Sequence, residues 1–138
     1  MNASEQVHNF ATASKIGAVV NLFKRKFPAA TVDLKPWVHS PEVANFLDPY
    51  SLDLGLHFPG ISRLLQARSI LFQIRLHAED SSLRAVGIEA LGYNYRGKCW
   101  HFSTIDRWAF WGDPKPIPEG EQDFKEFCQQ VLQTFWAD

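Results

Sequence analysis

The sequence predicts an α+β fold, an antiparallel sheet of four to six strands with the N-terminal and C-terminal helices packed on one face. Near both ends of the chain, apolar residues recur every three or four positions, a spacing typical of amphipathic helices. Between these segments, apolar and polar residues alternate in several short runs, as in half-buried strands. Short polar turns separate the runs, so we expect neighbouring strands to pair in antiparallel fashion.

Length and composition indicate a single α+β domain over residues 1–138. Hydrophobic residues make up 46% of the chain and aromatic residues 14%, enough for a core without disulfides or metals. The 14 basic residues do not outnumber the 15 acidic ones, so no nucleic-acid partner is expected. The sequence shows neither a signal-peptide pattern nor an apolar run of membrane-spanning length. We therefore expect a cytoplasmic protein without a membrane partner.

The first predicted helix covers residues 4–27. Its spacing places six apolar residues on one face: Phe10, Ala13, Ile16, Val20, Phe23 and Phe27. Ser4 is the expected N-cap, because a hydroxyl there can accept a hydrogen bond from the first turn. Pro28 ends the helix, since its ring cannot continue the hydrogen-bond ladder.

Two short elements are predicted next. Residues 31–38 predict a strand, which Pro36 limits to the edge of a sheet because proline cannot donate to a neighbouring strand. Residues 40–47 predict a helix of one or two turns, since Ser40 and Pro41 have the pattern of an N-cap followed by proline at the first helical position.

The most regular strands are predicted at residues 51–58 and 69–77. In each, aliphatic or phenylalanine side chains alternate with polar or small ones, which places the apolar set on one face. The stretch from Val86 to Asp113 predicts a β-hairpin that ends in an aromatic tail.

The last helix is predicted at about residues 119–137. It has the strongest helical pattern in the chain, with seven residues on one face: Phe124, Phe127, Cys128, Val131, Leu132, Phe135 and Trp136. Acidic residues near its start favour this assignment, because negative charge stabilises a helix N-terminus.

The hairpin carries the candidate interaction surface. With Arg96 and Gly97 as a two-residue loop, Tyr93 lies opposite Trp100. That register places five large side chains on one face: Leu91, Tyr93, Tyr95, Trp100 and Phe102. The other face then carries small or branched residues, so we expect the helices to pack against it. The aromatic face must be covered by the 105–113 tail, by a second subunit or by a ligand.

These alternatives lead to three functional expectations. The first is a non-catalytic interaction or assembly domain that forms a homodimer, or binds a protein partner, through the aromatic face. The second is a binding domain with an aromatic-lined pocket for a small apolar ligand, to which Arg75, Tyr93 and His101 would contribute polar groups. The third is an enzyme of unknown class. An enclosed pocket in the structure would favour the ligand-binding domain, and a flat aromatic face would favour the interaction domain.

No catalytic residue, metal site or cofactor is predicted. Three histidines and two carboxylates lie on predicted strands, but without the close spacing of zinc ligands: His57, His77, His101, Asp53 and Glu89. Phosphate-binding glycine loops and nucleophile motifs are missing from the sequence. Cys99 and Cys128 are expected to be buried, reduced thiols.

Two stretches resemble known families. Residues 96–102 resemble the RNA-binding signature of RRM domains but depart from it at Lys98, Cys99 and His101. Residues 68–106 resemble the strand–turn–hairpin core of WYL ligand-sensing domains, although His101 and Phe102 stand where tyrosine and leucine would be. Because of these departures, neither resemblance enters the prediction.

Overall fold

The computed structural model describes residues 1–6, 10–37, 50–79, 82–105 and 107–136. Its helices are α1, Phe10–Lys26, and α2, Pro118–Trp136, and Ala3–Glu5 forms a 3₁₀ turn. The strands are β1, Thr31–Asp33; β2, Ser51–His57; β3, Ser69–Glu79; β4, Ser82–Asn94; β5, Gly97–Ser103; and β6, Ala109–Gly112. They form one six-stranded sheet in chain order, and each strand pairs antiparallel with the next. The predicted α+β fold is confirmed.

The element bounds agree with the sequence pattern except at the first helix and at β1, which ends at Asp33 and does not extend through Pro36 as predicted. Helix α1 begins at Phe10, and Ser4 lies in the 3₁₀ turn, so the prediction of Ser4 as the cap of a continuous helix is wrong. The short helix predicted at residues 40–47 lies outside the described residues. Strand β1 is an edge strand, as the proline at position 36 indicated.

The helices bury one face of the sheet. Leu54, Phe72 and Ala90 are neighbours across β2, β3 and β4 and are fully buried. The ring of Phe72 lies 5.1 Å from that of Phe23 in α1 and 5.4 Å from that of Phe127 in α2, measured between centroids. Both helices therefore pack on the same side of the sheet, and burial of these apolar side chains is the main source of stability.

The two helices also contact each other in antiparallel orientation. Lys15 Nζ donates a hydrogen bond to the carbonyl oxygen of Phe135 at 3.0 Å, near the end of α2. At the opposite end of α1, Lys26 Nζ lies 3.1 Å from Glu126 Oε2. Neither helix is long and apolar enough to cross a lipid bilayer, within the part of the chain that the structure describes.

Gly17 in the middle of α1 offers a stability test. It is exposed, and a Cβ atom at this position would have open space around it. Alanine has the higher helix propensity because it loses less backbone freedom on folding. We expect Gly17→Ala to raise the free energy of unfolding by about 0.5–1 kcal/mol, measured by urea denaturation. A decrease would contradict the assignment of this position to an exposed helical site.

The loop between β4 and β5 differs from the predicted one. The structure places Tyr95 and Arg96 in the loop, and Asn94 pairs with Gly97. Gly97 has a φ of 122°, in the left-handed region that glycine adopts readily. The Arg96 N–H donates to Oδ1 of Asn94 at 2.8 Å, which closes the turn.

A β-bulge in β5 then changes the pairing further along the hairpin. Tyr93 pairs with Lys98 and Gly92 with Trp100, so Cys99 is an extra residue between the two pairs. The predicted pairing of Tyr93 with Trp100 is therefore wrong. Because side chains alternate between faces, this shift moves Trp100 to the side of the sheet opposite Tyr93.

Candidate functional site

The sheet face that points away from the helices is the candidate functional surface. On this face, five residues pair across β2 to β6 in one row: Gly55, Leu71, Leu91, His101 and Trp111. We call Leu71, Leu91, His101 and Trp111 the open row. The first three are half-buried, while Trp111 is 47% exposed. The His101 and Trp111 rings lie 5.5 Å apart between centroids. The open row thus presents apolar and aromatic surface outside the core.

Trp100 and Phe102 do not belong to this surface. Both are fully buried on the helix side, where the Trp100 indole N–H donates to the carbonyl oxygen of Leu65 at 2.8 Å. The Phe102 ring lies 5.3 Å from that of Phe124 in α2. A Cβ atom at Gly92 would overlap the indole of Trp100, so the small residue makes room for the large one. Their predicted place on the uncovered aromatic face is therefore wrong.

Leu91, Tyr93 and His101 do lie on the open face, all half-buried. Tyr95 lies instead in the hairpin loop, where its side chain is 70% exposed. The guanidinium carbon of Arg68 is 5.0 Å from the centroid of the Tyr95 ring, a cation–π distance. The structure therefore separates Tyr95 from the other predicted surface residues.

Arg75 is also on the open face, beside the open row. Its Nη2 atom lies 3.1 Å from Oε2 of Glu89 on the next strand, and both side chains are partly exposed. This ion pair joins the neighbouring strands β3 and β4. It leaves this part of the face without an excess of either charge.

Two members of the open row, Leu71 and Trp111, are not among the predicted site residues. In β3 the predicted apolar face carries Ile70 and Phe72, and Leu71 lies between them on the opposite face. Trp111 follows Phe110, which is buried on the helix side, so strict alternation would have assigned Trp111 to the other face.

The tail after β5 covers little of the open face. Residues 109–112 form the edge strand β6 rather than folding across the sheet. Ile105 does lie over Gly87, where a Cβ atom would approach Cγ1 of Ile105 to 2.7 Å. The tail therefore shields one end of the face and leaves the open row uncovered.

A depression of about 220 Å³ lies on the open face, at the end of the sheet near β1. Its lining consists of Pro36, Trp37, Gly55, His57, Ser69, Ile70, Leu71 and Tyr93. The depression is open to solvent and its wall is mostly apolar. Gly55 lies at the floor of the depression, where a Cβ atom would come within 3.1 Å of Nε2 of His57, 3.3 Å of Cβ of Asp33 and 3.5 Å of Cβ of Pro36, so these side chains pack closely over the glycine. A glycine inside a strand often marks a place where another molecule approaches the backbone closely.

His57 forms the polar edge of the depression. Its Nδ1 atom lies 3.0 Å from Oγ of Ser69, and its Nε2 atom lies 3.7 Å from Oδ2 of Asp33. In the tautomer with the proton on Nε2, which faces the Asp33 carboxylate, Nδ1 accepts the hydrogen bond of the Ser69 hydroxyl. This order of hydroxyl, imidazole and carboxylate has the connectivity of a nucleophile, a base and an orienting acid.

The exposure of these groups argues for recognition rather than nucleophilic catalysis. The His57 side chain is 49% exposed and that of Asp33 is 40% exposed. Water therefore competes for both groups, and the electrostatic effect that activates a nucleophile in a closed site is weakened. The arrangement can hold a hydrogen-bonding ligand at the edge of an apolar surface.

Trp37 is held in place by a buried carboxylate. Its indole N–H donates to Oδ2 of Asp53 at 2.6 Å. The same oxygen lies 2.8 Å from the Met1 ammonium, and the Asp53 side chain is only 1% exposed. Oδ1 of Asp53 has no hydrogen-bond donor among the described residues. Asp53 therefore links the N-terminus to one wall of the depression, a role that the sequence did not reveal.

The cysteines do not behave as nucleophiles. Burial raises the pKa of the Cys128 thiol well above its usual range, and burial also raises the pKa of Cys99. Both thiols are therefore protonated at neutral pH. Within the described ranges, no cluster of three or more histidine, cysteine or acidic side chains is arranged to hold a metal ion.

Comparison with known proteins assigns the chain to a family. A family profile described as a domain of unknown function matches residues 4–137. The chain belongs to this family. A comparison with curated proteins and a comparison with solved structures each found no match.

Proposed function

We propose that this chain is a cytoplasmic, non-catalytic assembly domain that forms a homodimer through the open row. The observation that carries the proposal is the contrast between the two sheet faces. One face is covered by α1 and α2, whereas the other presents Leu71, Leu91 and Trp111 beside His101 with no covering helix among the described residues. Tryptophan is enriched at the centres of protein interfaces, where charged residues are depleted.

The charges beside the open row are compatible with a second copy. The Arg75–Glu89 pair is neutral as a unit, and the whole chain has a formal net charge of −1. Two such faces can therefore approach without a block of like charges meeting across the interface. A strongly charged partner would gain little from this surface, which favours a second copy as the occupant.

The size of the surface predicts a weak dimer. From β2 to β6 the sheet is about 20 Å wide, given a strand spacing of about 4.8 Å. Contact over a similar length of strand would bury roughly 400 Å² on each copy, which lies below the standard interface size. We therefore expect a dimer that dissociates on dilution.

The Trp111→Glu variant tests the proposal. In the dimer the carboxylate would be buried without a partner, whereas in the monomer it would remain in water. We expect the wild-type mass in sedimentation equilibrium to rise with concentration toward that of a dimer, and Trp111→Glu to remain a monomer with an unchanged circular dichroism spectrum.

Trp136→Glu is the matched control, because Trp136 is also exposed but lies at the end of α2. It should dimerise as the wild type does. A wild-type protein that stays monomeric at the highest soluble concentration would refute the proposal. Dimerisation of Trp111→Glu with wild-type affinity would equally refute it.

A further inference from the structure

We propose that the depression beside Gly55 binds a small, flat aromatic molecule that carries an N–H donor at its edge, such as an indole-type heterocycle. The depression shares Leu71 with the open row but not Trp111, so the monomeric Trp111→Glu protein can be tested for ligand binding apart from the dimer. The depression lies on β1 to β4, whereas Trp111 lies on β6 at the other edge of the sheet.

The size of the depression limits the ligand. Pockets for drug-sized molecules usually enclose about 300–1,000 Å³, and this one measures about 220 Å³. It therefore suits a molecule of one or two fused rings rather than a nucleotide, a peptide or a lipid chain. Its open shape allows such a ring system to enter from solvent without movement of the sheet.

The lining favours an aromatic ligand. Trp37 and Tyr93 provide ring surface, and Pro36 and Leu71 provide aliphatic surface. Aromatic rings gain both buried area and preferred edge or offset contacts with side chains of these types. Burial raises the pKa of the Tyr93 hydroxyl, so Tyr93 remains uncharged at neutral pH and does not repel an apolar ligand.

The polar edge favours a donor on the ligand. When His57 carries its proton on Nε2, facing Asp33, the Ser69 hydroxyl donates a hydrogen bond to Nδ1 of His57 at 3.0 Å. The Ser69 oxygen then keeps lone-pair capacity to accept a hydrogen bond. A ligand N–H can use this acceptor, whereas a ligand that offers only an acceptor would compete with the existing Ser69–His57 bond.

Gly55 forms the floor of the depression and Trp37 forms one wall. A Cβ atom at Gly55 would lie 3.1 Å from Nε2 of His57 and 3.5 Å from Cβ of Pro36, in ordinary or tight contact with the surrounding groups. A larger side chain at Gly55 would therefore occupy the depression. The Trp37 wall does not depend on the ligand for its position, because Asp53 already accepts its indole N–H.

The test is a titration of the ¹⁵N-labelled wild-type protein with indole, followed by NMR. We expect saturable shifts that centre on the backbone amides of Gly55, Ser69, Leu71 and Tyr93. Benzofuran, in which oxygen replaces the N–H, should bind about tenfold more weakly because it cannot donate to Ser69.

Gly55→Val is the matching variant, and Gly60→Val is its control. Gly60 has open space around its Cβ position and does not line this depression. Gly55→Val should weaken indole binding at least about tenfold, while Gly60→Val and Trp111→Glu keep the wild-type affinity. The thermal melts of the variants identify any that fail to fold, and the wild-type titration stands without them.

Four results would overturn the inference. The first is the absence of saturable indole binding to the wild-type protein. The second is a set of shifts centred elsewhere, for example on the groove between Phe27 and Leu64. The third is equal affinity for indole and benzofuran, and the fourth is wild-type affinity in a folded Gly55→Val protein. Because Trp111→Glu removes only the proposed dimer contact, loss of dimerisation and loss of ligand binding are separate outcomes.

Discussion

The Phe124→Ala variant is expected to lose about 3–5 kcal/mol of its unfolding free energy. Phe124 is fully buried in α2 and connects both halves of the core. Its ring lies within 6.4 Å, between centroids, of six others: Phe27, Phe72, Trp100, Phe102, Phe110 and Phe127. Truncation would leave a cavity that these rigid rings cannot fill, so the cost includes lost packing as well as lost burial. Urea denaturation measures the difference.

Trp136→Ala on the same helix is the control. Trp136 is exposed and donates one hydrogen bond, from its indole N–H to the carbonyl oxygen of Ala85 at 3.0 Å. Its loss should cost about 1 kcal/mol. Equal destabilisation by the two substitutions would show that Phe124 does not lie at the centre of the core.

The Asp53→Ala variant has the second-largest expected effect, a loss of about 3 kcal/mol. Removal of one partner from a buried ion pair typically costs 3–5 kcal/mol, and partial exposure of the Met1 ammonium places this pair at the lower end of that range. The substitution also leaves the Trp37 indole N–H without its acceptor. We expect lower stability in urea and, since Trp37 is a wall of the depression, weaker indole binding.

Asp33→Ala separates this effect from a general loss of negative charge. The Asp33 carboxylate is exposed and lies 3.7 Å from His57. Exposed pairs contribute about 0–1 kcal/mol, so this variant should be nearly as stable as the wild type. A stable Asp53→Ala protein would mean that the contact between Met1, Trp37 and Asp53 contributes little to the fold.

The regular parts of the fold were predictable because their signal is local. Alternation of leucines predicted β2, and the helical spacing around Phe127 and Val131 predicted α2 almost to the residue. Placement of both helices on one sheet face also followed from the pattern, because that face of the hairpin carries small residues, among them Ala90 and Gly92, which allow close approach. These conclusions required no knowledge of how distant segments meet.

The hairpin faces were not predictable in the same way. One extra residue, Cys99, reverses the side of the sheet on which Trp100 lies. Alternation alone does not reveal a bulge. The signal for the observed register is that the smallest residue of one strand pairs with the largest of the other. Gly92 has no side chain, and the Trp100 ring fills the space that this leaves.

The candidate site depends on contacts between segments that are distant in sequence. The sequence pattern indicated Leu91, Tyr93 and His101 as candidate site residues, whereas nothing in the pattern of β2 distinguishes Gly55 as part of a site. Its significance appears only when Trp37 and His57 are placed around it. The contact of Trp37 with Asp53 likewise joins residues that no local pattern connects.

The arrangement of the core has a consequence for synthesis of the protein. The six strands occupy the sheet in the order in which they are translated, so each new strand can pair at once with its predecessor. Phe124 and Phe127, however, belong to α2, which is made after the whole sheet. A chain that ends before Pro118 therefore leaves the apolar sheet face only partly covered, by α1. Exposed apolar surface of this kind favours aggregation until α2 packs on the sheet.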